Sequence, residues 1–158
     1  MGLDMYINAV IYFSEFGKEK PLLDGIRSVC AEPLKGFTVN GVRVTLGYWR
    51  KANAIHNWFV NKVQNGVDEC QNTDLTYEHL LALKTDCETV LADHSKANAL
   101  LPPQSGFFFG GTDVDKYYFD DLKQTIKIIN TIFTNPIICG EYQGKPYLVD
   151  GVVYHSSW

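Results

Sequence analysis

Strand-forming residues lie at the two ends of this chain and helical periodicity fills its middle. That arrangement restricts the fold to helices packed on a sheet that both termini help to build. Residues 3 to 13, Leu3 to Phe13, are rich in β-branched and aromatic types and read as a first strand, with Asp4 and Asn8 as polar interruptions. Strand character returns after Pro136: Ile137 to Tyr142, a Gln143-Gly144 turn, Tyr147 to Val149, an Asp150-Gly151 turn, then Val152 to Trp158. In Phe37 to Leu46, Asn40-Gly41 stands between two β-rich runs, the strongest short hairpin signal, so a hairpin is expected to turn there. Its second arm runs into Gly47 and a helix, which pins that helix to the sheet. The expected architecture is α+β: one domain over residues 1–158, with about three main helices packed on an antiparallel sheet built from both chain ends.

Ser14 to Lys20 reads as a charged loop and Pro21 to Cys30 as a short helix weakened by Gly25, with Pro33 ending the region. Val67 to Thr73 reads as a polar loop. Thr76 can cap a helix from Tyr77 to Asp93, with Leu80, Leu83, Cys87, Val90 and Leu91 inward. Ser95 to Leu101 adds a turn or two, closed by Pro102-Pro103. Thr112 or Asp113 is expected to cap the last helix, Val114 to Thr134, whose inner stripe is Tyr118, Leu122, Thr125, Ile126, Ile129, Ile132 and Phe133.

At 158 residues the chain is long enough for one sizeable core without disulfides or metal. A net charge of −4 excludes a general basic field, so neither non-specific nucleic-acid binding nor membrane attachment is expected. The four cysteines (Cys30, Cys70, Cys87, Cys139) are scattered, with no C-x-x-C pair and no histidine at ligand spacing. They read as free thiols in a reducing cytoplasm, and no metal or cofactor is expected. Met1-Gly2-Leu3-Asp4 opens without the basic and apolar regions of a signal peptide, and Tyr6 stands where N-myristoylation wants Ser or Thr. The expected location is the cytoplasm.

The helix read from Trp49 to Gln64 is unusual in its polar face. Trp49, Ala52, Ile55, Phe59, Val60 and Val63 fall on one side, while Arg50, Asn53, Asn57, Asn61 and Gln64 line the other. Solvated faces are usually built from Glu and Lys, whereas Asn forms helix poorly, so this row gives up propensity for fixed hydrogen-bonding groups. The plain alternative is a core helix with idle exposed amides. Arg50 and Lys51 would lie in the first turn, where the helix dipole disfavours cations, which hints at an anionic partner. His56 falls on the strip with Ala52 and Phe59, where a hydrogen-bonded core histidine is commoner than a catalyst.

Gln104-Ser105-Gly106-Phe107-Phe108-Phe109-Gly110-Gly111-Thr112-Asp113 is the second informative stretch. Its glycines allow close backbone approach, its rings offer stacking faces, and it leads into a helix start, where anions bind. The plain alternative is a hydrophobic loop tucked under the core. It lacks the Lys-Ser/Thr of a phosphate-binding loop and follows Pro-Pro rather than a strand, so no Walker or Rossmann assignment is made. Asp113 and Asp115 work against phosphate there. Asp113, Asp115, Asp120 and Asp121 read mostly as a solvated acidic helix edge, and no catalytic motif is present. An enzyme would have to use His56, assisted by Asp113 or Asp121.

Several blocks in order resemble a family of small bacteriophage and prophage proteins. They are the opening Met1 to Tyr6, Gly47-Tyr48-Trp49-Arg50-Lys51-Ala52-Asn53 with Ile55-His56 and Trp58-Phe59-Val60, Leu101-Pro102 with Gly106 to Gly110, Thr112-Asp113, Tyr117-Tyr118-Phe119, and Tyr154 with Ser156-Ser157-Trp158. The resemblance implies a genomic setting and no mechanism. In that setting, a binder of a small nucleotide-like ligand, sequestering an immune signal, is expected first. Arginine would serve phosphate, amides base edges, and rings stacking. An inhibitor of a host protein and a small nucleotide-acting enzyme are the alternatives. The candidate ligand residues are Trp49, Arg50, Lys51, Asn53, His56, Asn57, Gln104, Ser105, Phe107, Phe108, Thr112, Asp113 and Tyr117, none assigned a catalytic role; homo-oligomerisation is compatible with this reading.

Overall fold

A computed structural model describes residues 2–14 and 16–158. The chain runs β1 (Asp4–Tyr12), α1 (Lys20–Cys30), β2 (Gly41–Arg50), α2 (Asn53–Lys62), β3 (Thr73–Asp74) and α3 (Tyr77–Ala92). A 3-10 turn (His94–Lys96) leads into the one-turn α4 (Ala97–Leu100), followed by α5 (Lys116–Thr134), β4 (Cys139–Tyr142), β5 (Lys145–Leu148) and β6 (Val152–Ser157). The fold is α+β. Its main sheet is antiparallel in the order β2-β1-β6-β3, so the first and last strands are central neighbours. The β4–β5 hairpin stands apart as a second sheet, where one continuous sheet was expected.

Alternation along the strands makes one face of the sheet apolar. Met5, Ile7 and Ala9 are buried on β1, with Trp49 opposite Met5, and with Tyr154 and Val152 of β6 opposite Ile7 and Ala9. The outward face carries Tyr6, Tyr48 and His155, whose rings lie against one another. The inner faces of α3 (Leu80, Leu83, Cys87, Val90) and α5 (Tyr118, Leu122, Thr125, Ile129, Ile132) are buried as their periodicity predicts. Thr76 forms a reciprocal capping box with His79 at the start of α3.

Three local expectations are corrected. Asn40-Gly41 is not a hairpin turn: β2 pairs with β1, Tyr12 opposite Gly41, and residues 13–40 form the connection. The glycine serves close strand approach instead, because a Cβ at Gly41 would meet the Ile11 carbonyl oxygen at 2.7 Å. The helix expected from Trp49 begins at Asn53, and Trp49 and Arg50 finish β2. Between them Lys51 takes φ +62, and the Asn53 N–H donates to the Lys51 carbonyl across Ala52 (φ −75, ψ 67), an inverse γ-turn that ends the strand. The cap of α5 is Asp115, which accepts from the Tyr117 and Tyr118 N–H groups, rather than Thr112 or Asp113.

Candidate functional site

The amide row of α2 and the ring-rich stretch after Pro103 do meet, and the amides hold the chain itself. Asn53 is buried, and its Nδ2 donates to the carbonyls of Phe109 (3.2 Å) and Gly111 (2.8 Å). Its Oδ1 accepts from the Gln104 N–H. Asn57 donates to the Pro102 carbonyl and Asn61 to Asn57, while Gln64 donates to Thr73 at the far end of the helix. Residues 102–111 are thus a strap clasped to α2 by side-chain amides, which supply donors that a loop cannot find within itself. Phe109 is its buried anchor; Phe107 and Phe108 point outward.

His56, at 0% exposure, is tied on both sides. Its Nε2 lies 2.9 Å from Asp68 Oδ2 and its Nδ1 2.7 Å from the Tyr154 hydroxyl. Burial drives the Tyr154 phenol well above its ordinary range, so Tyr154 stays a donor. With the phenol donating to Nδ1, the Nε2–H donates to the Asp68 carboxylate. Trp158 donates to the other oxygen of Asp68, and Phe109 meets both His56 and Trp158 edge-on. This network joins α2, β6, the 67–72 loop and the C-terminus. With both nitrogens engaged and no exposed atom, His56 is a structural residue.

On the other side of Asn53 lies a cleft of about 360 Å³. It is lined by Arg50, Lys51 and the first turn of α2 (Asn53, Ala54, Ile55), by Pro103, Gly110 and Gly111 of the strap, and by Asp113, Asp115, Tyr117, Tyr118 and Asp121. Two helix starts face this space and differ. The α5 start is closed by Asp115, whereas no side chain caps α2, whose first-turn residues are buried and whose Asn53 N–H donates to the Lys51 carbonyl. Among the described residues neither Arg50 nor Lys51 forms an ion pair. Burial first, then the neighbouring charges of Asp120 and Asp115, push the Asp121 carboxyl up to about 6. No group of three or more His, Cys, Asp or Glu among the described residues is placed to hold a metal.

The expected ligand residues therefore divide. Arg50, Lys51, Asn53, Asp113 and Tyr117 line the cleft. Trp49 does not: it is buried, its indole N–H donating to Thr125. His56 and Asn57 are occupied as described, and Gln104, Ser105, Phe107, Phe108 and Thr112 lie outside the cleft. Asp115 and Asp121, read as a solvated edge, belong to it. Asp121 was within reach of the sequence, because it sits three residues after Tyr118 and four before Thr125, on the margin of the buried stripe. No protein-family model, curated protein or solved structure matches this chain.

Proposed function

We propose that this chain is a non-catalytic binder of a small, nucleotide-like ligand, held in the cleft between α2 and α5. The observation that carries the reading is the charge arrangement there. Arg50 and Lys51, with no ion pair among the described residues, line a cleft of about 360 Å³ together with Asp113, Asp115, Asp121 and the exposed Tyr117. The cations suit a phosphate and the carboxylates suit hydroxyl or amine donors. The phage setting that the sequence blocks imply gives such a binder a role, the sequestration of a signalling nucleotide in the host. Thermal shift of the purified chain against a nucleotide panel, with Arg50→Ala in parallel, tests it. Stabilisation by a nucleotide that Arg50→Ala abolishes supports the reading, and no shift with any nucleotide ends it.

A second reading, a protein that docks on a host protein, draws on the connection between β1 and β2. Phe16 (99% exposed), Phe37 (80%) and Val29 (78%) leave apolar surface open there. Val29→Glu with Phe37→Glu would abolish a stoichiometric pull-down while leaving nucleotide binding intact.

A further inference from the structure

We propose that α1 is the contact face of a symmetric dimer, in which two copies of this chain pack α1 on α1, antiparallel, about a two-fold axis. The inference is independent of any ligand in the cleft, and it gives to a second copy the surface that the second reading above gives to a host protein.

Little of the body holds α1. Short helices are marginal in water and owe their stability to burying an apolar face. Of the 11 residues Lys20–Cys30 only Leu23 is fully buried, with Ile26 and Cys30 half-buried. Leu22, Gly25, Ile26 and Val29 follow the i, i+3, i+4, i+7 spacing that shares one side of a helix. Leu22 is 39% and Val29 78% exposed, so that side stands open, and the charged Lys20, Asp24 and Arg27 fall on the opposite one.

Gly25 sits at the middle of the open side, where glycine weakens a helix. Nothing within the chain requires it, because a Cβ there would meet no atom within 4 Å. A gap in an open helix face does serve the close approach of a second helix. An antiparallel pair centred between Gly25 and Ile26 uses all four positions at once. Leu22 then lies against Val29 of the second copy, Ile26 fills the gap over its Gly25, and the two-fold axis repeats both contacts. A parallel pair would set glycine on glycine and leave a hole at the centre.

The connection that carries α1 supplies the area. At about 150–250 Å² for a whole aromatic side chain, Phe16, Phe37 and Tyr12 (99%, 80% and 69% exposed) open about 500 Å². Leu22, Val29 and Leu34 bring this toward the about 800 Å² that each partner gives to a standard interface.

The test is sedimentation equilibrium of the whole chain from about 1 to about 200 µM, which covers the weak end of interfaces of this size. The expected result is a species of twice the chain's mass that dissociates on dilution. Leu22→Glu and Val29→Lys, each alone, weaken association at least tenfold, by setting a charge against an apolar neighbour. Mixed one to one they restore the dimer, because the antiparallel register brings the new carboxylate against the new ammonium. Gly25→Gln also weakens association at least tenfold, yet raises the thermal midpoint of the dissociated chain, since glutamine forms helix better than glycine. A chain that stays monomeric at the highest concentration overturns the inference and leaves the face to a host protein. A dimer that these variants leave intact, or that the mixture fails to restore, overturns it as well.

Discussion

The two sides of Asn53 treat polar groups in opposite ways. Toward the C-terminal end of α2, His56, Asp68, Tyr154 and Trp158 are linked through His56 Nδ1 and Nε2 and both oxygens of Asp68. Toward the N-terminal end, Arg50, Lys51, Asp113 and Asp121 face a hollow with no ion pair between them. A buried polar network that is fully paired stabilises and specifies the fold, and one unpaired partner makes it costly. Charges left unpaired around a concave surface contribute nothing to folding that water would not supply. Their grouping calls for a different explanation, and a ligand provides one.

The comparison breaks first at its paired half. His56→Ala removes two hydrogen bonds and leaves the Asp68 carboxylate and the Tyr154 hydroxyl without their partner. The expected loss of stability in urea unfolding is about 2–4 kcal/mol, from the two lost hydrogen bonds and the cavity left at a fully buried ring. A loss below about 1 kcal/mol would mean that the network is not what holds the C-terminal strand and the 67–72 loop. Asn53→Ala comes next, because three strap hydrogen bonds end on that one amide. The expected cost is about 2 kcal/mol, with the Phe109 and Gly111 carbonyls left partly unsatisfied. Limited proteolysis should then cut within residues 104–113, and an uncut strap would show that Phe109 alone anchors it.

Much of this was legible beforehand. The stripes of α3 and α5, the strands at both termini, and the Gln143-Gly144 turn, whose two residues take φ +50 and +75, all follow from local periodicity and turn chemistry. The start of α2 was not legible. A lysine at φ +62 has no sequence signature, so Trp49 and Arg50 read as helix when they complete a strand. The amide row shows in the sequence by its poor helix propensity, but its partner lies some fifty residues away and is the chain's own backbone. Asp121 figures in the sequence only as a possible assistant to His56 and not among the ligand residues, because its place in the cleft comes from Tyr118 and Thr125 beside it rather than from its spacing to the other acids.

At the cleft, a smaller effect sharpens the contrast. The Asp121 carboxyl, near 6 in the folded chain against its ordinary 3.8, favours the protonated form. Its stabilising contribution is therefore complete below pH 3.8 and is lost as pH rises through 6. Asp121→Asn should flatten the stability profile across that window and raise stability at pH 7 by about 1 kcal/mol, less than the full shift implies because water screens the open side. Unfolding curves at pH 4, 5, 6 and 7 for both proteins measure it. A profile unchanged by the substitution would place that carboxyl in bulk water and remove it from the cleft lining.

The smallest effect bears most directly on why the cleft exists. Lys51 holds a left-handed backbone that costs an L-residue about 1–2 kcal/mol. Glycine would relieve that strain but brings about 0.5–1 kcal/mol of unfolded-chain entropy with it. The lysine stem also runs beside Gly110 and Gly2, so some packing is lost as well. The net change for Lys51→Gly should be close to zero, within about 0.5 kcal/mol, as measured by urea unfolding, although a long charged side chain has vanished. A loss above about 1 kcal/mol would make Lys51 a packing residue like those around His56. Near-neutral stability beside weakened nucleotide binding would mean that strain is retained at this position for the cation it places, as happens where backbone geometry serves a site rather than the fold.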